Sequence, residues 1–314
     1  MAVDEASLVA ALAGASPAIT LRGRPRRLAG YANEIWFCDS DAGPVVAKVR
    51  LIPEEDPEQL ATYVHTMDLL RRQGFPTPEL LVFEESCAAL DGRQFSVLRH
   101  ADGAEASALL GRIPAAARVE LLREFGRIIG RLHAIELPAG TVWRDDTGQA
   151  HPGWPEVFRA ALDEVLAELT WLDGDERRLV DAATVRIERE APALLAPVAA
   201  ARLVHRDLHP GNFLVAEGRT TVLLDFEMVR EWDAAYDFIK INSSLLGGPA
   251  EEVAAFHAGY REQVAPDDGF AARVRLYEGL YGLLSAAEFR SGNPRHRNWA
   301  NSLRRWLAAE QDRL

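Results

Sequence analysis

Three oxygen-bearing side chains stand out by type and spacing. Asp207 and Asn212 lie five positions apart in His205-Arg206-Asp207-Leu208-His209-Pro210-Gly211-Asn212, and Asp225 closes the apolar run Val222-Leu223-Leu224. The chemistry that needs such a set is phosphoryl transfer from a nucleotide to a hydroxyl. One carboxylate, Asp207, has to meet the acceptor hydroxyl and take its proton as the bond to phosphorus develops. A carboxylate cannot fully deprotonate an alcohol in the ground state, so positioning is the larger part of its task. A second carboxylate, Asp225, and an amide oxygen, Asn212, suit Mg²⁺, a hard ion whose octahedron is completed by phosphate oxygens and water. A lone loop aspartate is ordinarily a turn or cap residue. His205 two positions before Asp207, Asn212 five after it and the strand-ending Asp225 argue against that here. His205, His209, Pro210 and Gly211 are expected to brace and shape the loop, His209 being the one that could approach a phosphate.

The cation that such a site needs is expected at Lys48, within Val45-Val46-Ala47-Lys48-Val49. Of the 35 lysines and arginines, Lys48 and Lys240 alone are lysine, in a chain that otherwise writes arginine. A compact ammonium reaching a phosphate is a place where the two are not interchangeable. Gly30-Tyr31-Ala32-Asn33 precedes that strand and is expected to cover the phosphates with backbone N–H groups. Arg99-His100-Ala101 is where the nucleotide base would lie, with Arg99 and Ala101 offering backbone groups.

The elements that must hold these residues are legible as a change of pattern. After an amphipathic N-terminal helix, short alternating runs at 18–22, 35–39, 44–49, 80–84 and 94–98 read as five strands, with turns at Asp41-Ala42-Gly43 and Asp91-Gly92. A helix is expected over 57–73, closed by Gly74 and Pro76. From Arg99 onward helices dominate. Leu121, Leu122, Phe125, Ile128, Ile129 and Leu132 share one face, and further helices are expected over 156–172 and 176–195. The reactive segment interrupts them as a hairpin, 213–216 against 220–224 across Glu217-Gly218-Arg219. Helices resume from Ala234, with Trp299, Leu303, Trp306 and Leu307 on one face.

Composition narrows the classes. A chain of 314 residues with 48% hydrophobic and 26% charged side chains is an ordinary soluble enzyme large enough for two lobes. Its net charge of −12 argues against a nucleic-acid partner, which needs a basic face. From Asn242 onward acidic and basic residues balance at nine each, so the excess negative charge is not in the expected acceptor region. Cys38 and Cys87 are too few for a disulfide framework or zinc site. A secretory leader would be basic where Asp4 and Glu5 precede the first apolar run, so none is expected, and no run is long enough to span a membrane. A cytoplasmic monomer or homodimer is expected.

Together these residues resemble the aminoglycoside phosphotransferase and choline kinase-like family. Gly30 to Asn33 is similar to its nucleotide loop, Ala47-Lys48-Val49 to its lysine strand, Gly74-Phe75-Pro76-Thr77-Pro78 to the turn after its first-lobe helix, and Gly130-Arg131-Leu132-His133 to a later helix. His205 to Asn212 is the strongest match, Asp225-Phe226-Glu227 resembles the family's form of the metal segment, and Asp237 falls at its structural aspartate. The resemblance implies an α+β, two-lobed protein-kinase-like fold. Its nucleotide-binding lobe, residues 1–99, would be a five-stranded antiparallel sheet with one helix, and its catalytic and acceptor-binding lobe, residues 100–314, mainly helical. It implies ATP or GTP with Mg²⁺ as cofactors and a small hydroxylated acceptor. An antibiotic is preferred, with choline, homoserine, a sugar or a thiosugar as the alternative. Acceptor contacts are expected from Glu231, Asp233, Tyr277, Glu278 and Tyr281, with Tyr260, Glu288, Trp299 and Trp306 as wider candidates. One departure is evident: the glutamate that pairs with the lysine falls at Tyr63, with Glu58 or Gln59 a turn earlier. That departure motivates a regulatory pseudokinase as a third reading, which intact Asp207, Asn212 and Asp225 oppose.

Overall fold

Residues Gly43–Arg50 alternate strictly, and that alternation makes a strand with two different faces. Val45, Ala47 and Val49 are fully buried on one, while Lys48 and Arg50 lie on the other. The computed structural model describes residues 3–28, 30, 33–51, 57–138, 140–216 and 220–309. In chain order it runs α1 (Glu5–Gly14), β1 (Arg26–Leu28), β2 (Asn33–Ser40), β3 (Gly43–Arg50), α2 (Pro57–Arg72), β4 (Leu80–Cys87), β5 (Arg93–Arg99), β6 (Ala104–Glu105), α3 (Ala106–Leu109) and α4 (Ala115–Ala134). A short hairpin of β7 (Trp143–Arg144) and β8 (Ala150–His151) precedes α5 (Trp154–Glu168), α6 (Gly174–Leu195) and β9 (Arg202–Val204). The remainder is β10 (Phe213–Ala216), β11 (Thr220–Leu223), β12 (Arg230–Trp232), α7 (Phe238–Ser244), α8 (Ala250–Arg261), α9 (Phe270–Arg290) and α10 (Trp299–Ala308). By packing, Met1–Ile128 with Pro210–Val229 forms one unit, and Ile129–His209 with Arg230–Leu314 the other.

In the first unit the five-stranded antiparallel sheet has the order β1-β2-β3-β5-β4, which puts the Lys48 strand at its centre. Leu8 and Leu12 of α1 join the sheet residues Val45, Val49, Phe95 and Val97 in one apolar core. The edge strand is not where alternation places it. Residues 18–22 make one isolated bridge, Leu21 to Ser40, and the ladder is completed by β1, with Arg26, Arg27 and Leu28 opposite Phe37, Trp36 and Ile35. The Arg26 guanidinium 5.2 Å from the Phe37 ring centroid helps a basic segment serve as an edge. The other four strands and the first-unit helix α2 lie where the pattern puts them. β6 pairs with β10, so the segment after β5 is laced to the reactive hairpin, and the turn at residues 217–219 lies outside the described residues.

In the second unit α9 is the central helix, with α5, α6, α7 and α10 packed on it. Its Gly279 is required by close approach, because a Cβ there would run into the Trp306 ring of α10. Trp306 Nε1 donates to the Arg275 carbonyl at 2.6 Å and Trp299 is buried, so both tryptophans belong to the packing of this unit. Among the described residues no helix is long and apolar enough to cross a membrane.

Candidate active site

The first unit assembles Lys48 and the Asp225 segment. Lys48 projects from the polar face of β3, and its Nζ donates to Asp225 Oδ1 at 2.9 Å and to Glu227 Oε1 at 2.8 Å. Arg50 Nη1 and Asn33 Nδ2 both donate to Glu227 Oε2, at 2.9 and 2.8 Å. Burial alone would lower the Lys48 pKa, but the charges of Glu227 and Asp225 outweigh it and hold the ammonium well above its ordinary value. Glu227, with Asp225, is the carboxylate that pairs with Lys48 among the described residues. Tyr63, at the position where the helix glutamate was expected, is a buried neutral neighbour whose phenol burial pushes up. The side chains of Glu58 and Gln59 lie outside the described residues.

Asp225 lies two residues after β11 with φ +66°, left-handed backbone that a bulky residue resists and Asp tolerates. A single turn of 3-10 helix, Phe226–Met228, follows and swings Glu227 back to the lysine. Asn212 is buried, and its carbonyl accepts the Leu224 N–H at 2.8 Å, so the two expected metal-ligand segments are tied backbone to backbone. A Cβ on Gly30 would meet the Asn33 carbonyl oxygen and the Ile35 side chain. Tyr31 and Ala32 lie outside the described residues. Asn33 itself is buried with its amide on Glu227. Arg99 is held by Glu79 and by the Ala42 carbonyl, at 3.1 and 3.0 Å, and His100 N–H donates to the Pro44 carbonyl at 3.0 Å. Ala101 is half-buried.

Replacing Glu227 takes one carboxylate away from both Lys48 and Arg50 in a largely buried setting. Glu227→Ala is expected to lower unfolding stability by about 3 kcal/mol, the cost of removing one member of a buried charge cluster. Urea unfolding of the variant beside wild type checks this, and equal midpoints would contradict it.

The second unit carries Asp207 and the frame around it. The fully buried Asp237 carboxylate accepts the backbone N–H groups of His205 at 2.9 Å and Arg206 at 2.6 Å, and a ring N–H of His133 at 3.0 Å. Arg206 has φ +71°, and its guanidinium makes a two-pronged pair with Asp146 and lies 4.3 Å from the Trp232 ring centroid. Among the described residues only Asp91, Arg206 and Asp225 are non-glycine residues with positive φ, and two of the three border this chemistry. The Asp207 N–H donates to His205 Nδ1 at 3.3 Å, so His205 braces the loop. Around the Asp207 carboxylate, His209 Nε2 stands 3.5 Å from Oδ2 and Lys240 Nζ 3.6 Å from Oδ1. Burial would raise the Asp207 pKa, but the His209 hydrogen bond and the Lys240 charge bring it down to about 2.

The expected acceptor residues separate into two groups. Asp233 and Tyr277 are buried in a fixed network: Arg273 Nε donates to Asp233 Oδ2 at 2.7 Å, the Tyr277 hydroxyl donates to the same oxygen at 2.5 Å, and Trp154 Nε1 donates to that hydroxyl at 2.7 Å. Tyr260 is likewise buried, with its hydroxyl 2.9 Å from His133 Nδ1. Glu231 and Tyr281 are half-buried, and Glu288 is exposed. Glu278 accepts from Asn242 Nδ2 at 2.9 Å and lines a cleft of about 450 Å³ with Asn242, His257, Arg261, Phe270 and Arg275. Glu227 and Lys240 are the residues that sequence reasoning did not place. The signals for them were an acidic residue two positions after Asp225 and the rarity of lysine.

Comparison with known proteins bears on the fold and the family. Aminoglycoside phosphotransferase APH(4)-Ia, as a thermostable mutant in ternary complex with ADP and hygromycin B, superposes with a TM-score of 0.69 at 18% identity, covering 97% of this chain and 98% of that one. A choline/ethanolamine kinase family protein from Mesorhizobium loti gives 0.67 at 18% identity, covering 98% and 94%. Macrolide 2'-phosphotransferase MphH from Brachybacterium faecium gives 0.62 at 19%, covering 96% and 97%. These likenesses establish a two-lobed protein-kinase-like fold. The family described as "Phosphotransferase enzyme family" matches residues 24–275, most of the chain and every residue of the constellation. With Lys48, the Asp225 segment and the Asp207 loop all inside that match, the chain belongs to the phosphotransferase enzyme family.

Proposed function

We propose that this phosphotransferase is a small-molecule kinase that moves the γ-phosphoryl group of ATP or GTP to an acceptor hydroxyl. The preferred acceptor is an antibiotic, an aminoglycoside or another hydroxylated natural product, whose phosphorylation would confer resistance. The observation that carries the reading is the convergence of Lys48 and Glu227 on the Asp225 segment, a charge-balanced arrangement with Arg50 that presents an ammonium beside a metal-binding carboxylate. Residues 1–99 bind the nucleotide in this reading, and residues 100–314 carry catalysis and acceptor binding. The backbone around Gly30, Tyr31, Ala32 and Asn33 covers the phosphates, Lys48 contacts them, and Arg99 and Ala101 border the base. Asn33 acts through Glu227, which its amide holds.

Asn212 and Asp225 offer hard oxygens from two segments joined by a backbone hydrogen bond, and that donor chemistry fits Mg²⁺. Bound there, the ion neutralises charge on the nucleotide phosphates. Asp207 orients the acceptor hydroxyl and receives its proton as the oxygen–phosphorus bond forms. Glu231, Glu278 and Tyr281 are the acceptor contacts, while Asp233 and Tyr277 hold the scaffold behind them. The ADP and hygromycin B bound by one structural neighbour support both the nucleotide and an antibiotic acceptor for this chain. The likeness to a choline/ethanolamine kinase family protein favours, as second reading, a metabolite kinase with the same site. In either case the protein works in the cytoplasm, as monomer or homodimer.

Calorimetric titration with Mg-AMP-PNP and a Mg-bound GTP analogue tests the nucleotide half. Wild type is expected to bind one of them, and Asp225→Ala to weaken binding by about tenfold or more by loss of the charged metal ligand. Absence of binding by wild type would overturn the reading.

A further inference from the structure

The chain uses arginine for nearly every cation, yet its two lysines end beside the two aspartates of the constellation, Lys48 at Asp225 and Lys240 at Asp207. Lys48 has its task in the nucleotide phosphates. Lys240 has none in the proposed reaction as it stands. Its Nζ lies 3.6 Å from Asp207 Oδ1 and 5.5 Å from the Tyr281 ring centroid, while His209 Nε2 lies 3.5 Å from Oδ2. Groups on both oxygens fix the plane of a carboxylate, which a group on one alone does not.

The Lys240 and Asp207 side chains are each 36% exposed, and an ion pair so open to water contributes little to stability. Fold stability therefore gives no reason for a lysine there. The choice of lysine over arginine does have a physical reason. A guanidinium favours two-pronged engagement of both carboxylate oxygens, which would occupy the edge that must meet a hydroxyl. An ammonium engages one oxygen, Oδ1, and leaves Oδ2 to a separate group, His209. Lys240 also follows Asp237 by three residues on the same helical stretch. The element whose carboxylate holds the loop backbone at His205 and Arg206 thus also carries the cation that faces the loop's reactive side chain.

We infer that Lys240 is the positioning residue of Asp207: it holds Oδ1 so that the carboxylate faces the acceptor hydroxyl, and the Tyr281 ring holds Lys240 in turn. This rests on the proposed kinase reaction. The acceptor O–H bond breaks as its oxygen bonds to phosphorus, the proton passes to Asp207, and the nucleoside diphosphate leaves with the electrons of the broken bond. Lys240 keeps its own proton throughout.

The test uses the full-length protein with Mg-ATP and water as acceptor, in single turnover, for wild type, Lys240→Ala, Lys240→Arg, Asp207→Ala and the double variant Lys240→Ala/Asp207→Ala. Lys240→Ala is expected to slow phosphoryl transfer about 10–100-fold through misplacement, with Mg-ATP affinity within about twofold of wild type. In the Asp207→Ala background the same substitution should change the rate by less than about twofold, the signature of a residue acting through another. Lys240→Arg should recover part of the rate. An equal effect of Lys240→Ala in both backgrounds, no effect in wild type, or a change in affinity in place of rate would overturn the inference. If Asp207→Ala turns over as fast as wild type, the kinase reading itself fails and takes the inference with it. A measurement without turnover stands beside these. Biosynthetic ¹³Cε-lysine labelling gives one signal for each lysine, assigned by loss in Lys240→Arg. Asp207→Asn should move the Lys240 signal and leave Lys48 in place; an unmoved Lys240 signal would also overturn the inference.

Discussion

Asp207→Ala is expected to slow phosphoryl transfer by about 10²–10⁴-fold, the range for a group that orients and deprotonates a nucleophile, while Mg-nucleotide affinity stays nearly unchanged. The separation follows from where the residues lie. Lys48, Asn212, Asp225 and Glu227 belong to one compact unit, and Asp207 belongs to the other with His209 and Lys240. Rapid-quench measurement of transfer, with calorimetry for nucleotide affinity, reads the two quantities separately. Loss of affinity equal to loss of rate would contradict the assignment. Because His209 and Lys240 hold the Asp207 pKa near 2 against the effect of burial, the carboxylate is ionised across the physiological range. The sign is that of a depressed acid: its contribution is present above the ordinary carboxylate pKa and lost only as pH falls through about 2. A loss of rate on mild acidification therefore belongs to another group.

Asp237→Ala is expected to cost about 3–5 kcal/mol of stability and to reduce transfer in whatever folded protein remains. Asp237 is fully buried and accepts from two consecutive backbone N–H groups and from His133. Removing it leaves buried donors without an acceptor and frees the backbone at Arg206, whose left-handed conformation immediately precedes Asp207. Thermal or urea unfolding reads the first effect, and turnover per folded molecule the second. Wild-type stability in Asp237→Ala would contradict the role of this carboxylate as anchor of the loop.

What could be read from the sequence divides along a physical line. Strands β2 to β5 were legible because apolar alternation is local, and the face of α4 because its periodicity is. The edge strand was not, because Arg26, Arg27 and Leu28 become a strand only by pairing with Ile35, Trp36 and Phe37, whereas residues 18–22 alternate without gaining more than a bridge. The spacing of Asp207, Asn212 and Asp225 was visible since loop and strand fix it along the chain. The partner of Lys48 was not, since Glu227 reaches it from a segment 179 residues away. Asp233 and Tyr277 have the residue types of a binding pocket, yet Arg273 and Trp154 satisfy them internally. Polarity tells that a side chain needs a partner; only the packing tells that the partner is already within the protein.

The central claim is that a nucleotide's terminal phosphoryl group is passed to a small hydroxylated molecule. Its most direct test is to incubate purified wild type and Asp207→Ala with Mg-ATP and Mg-GTP against hydroxylated antibiotics and common metabolites, and to follow products by mass spectrometry. The predicted result is an acceptor gaining one phosphoryl group with wild type and not with Asp207→Ala, and the identity of that acceptor decides between antibiotic and metabolite. Tight Mg-nucleotide binding with no acceptor modified across the panel, or the same product from both proteins, would contradict it.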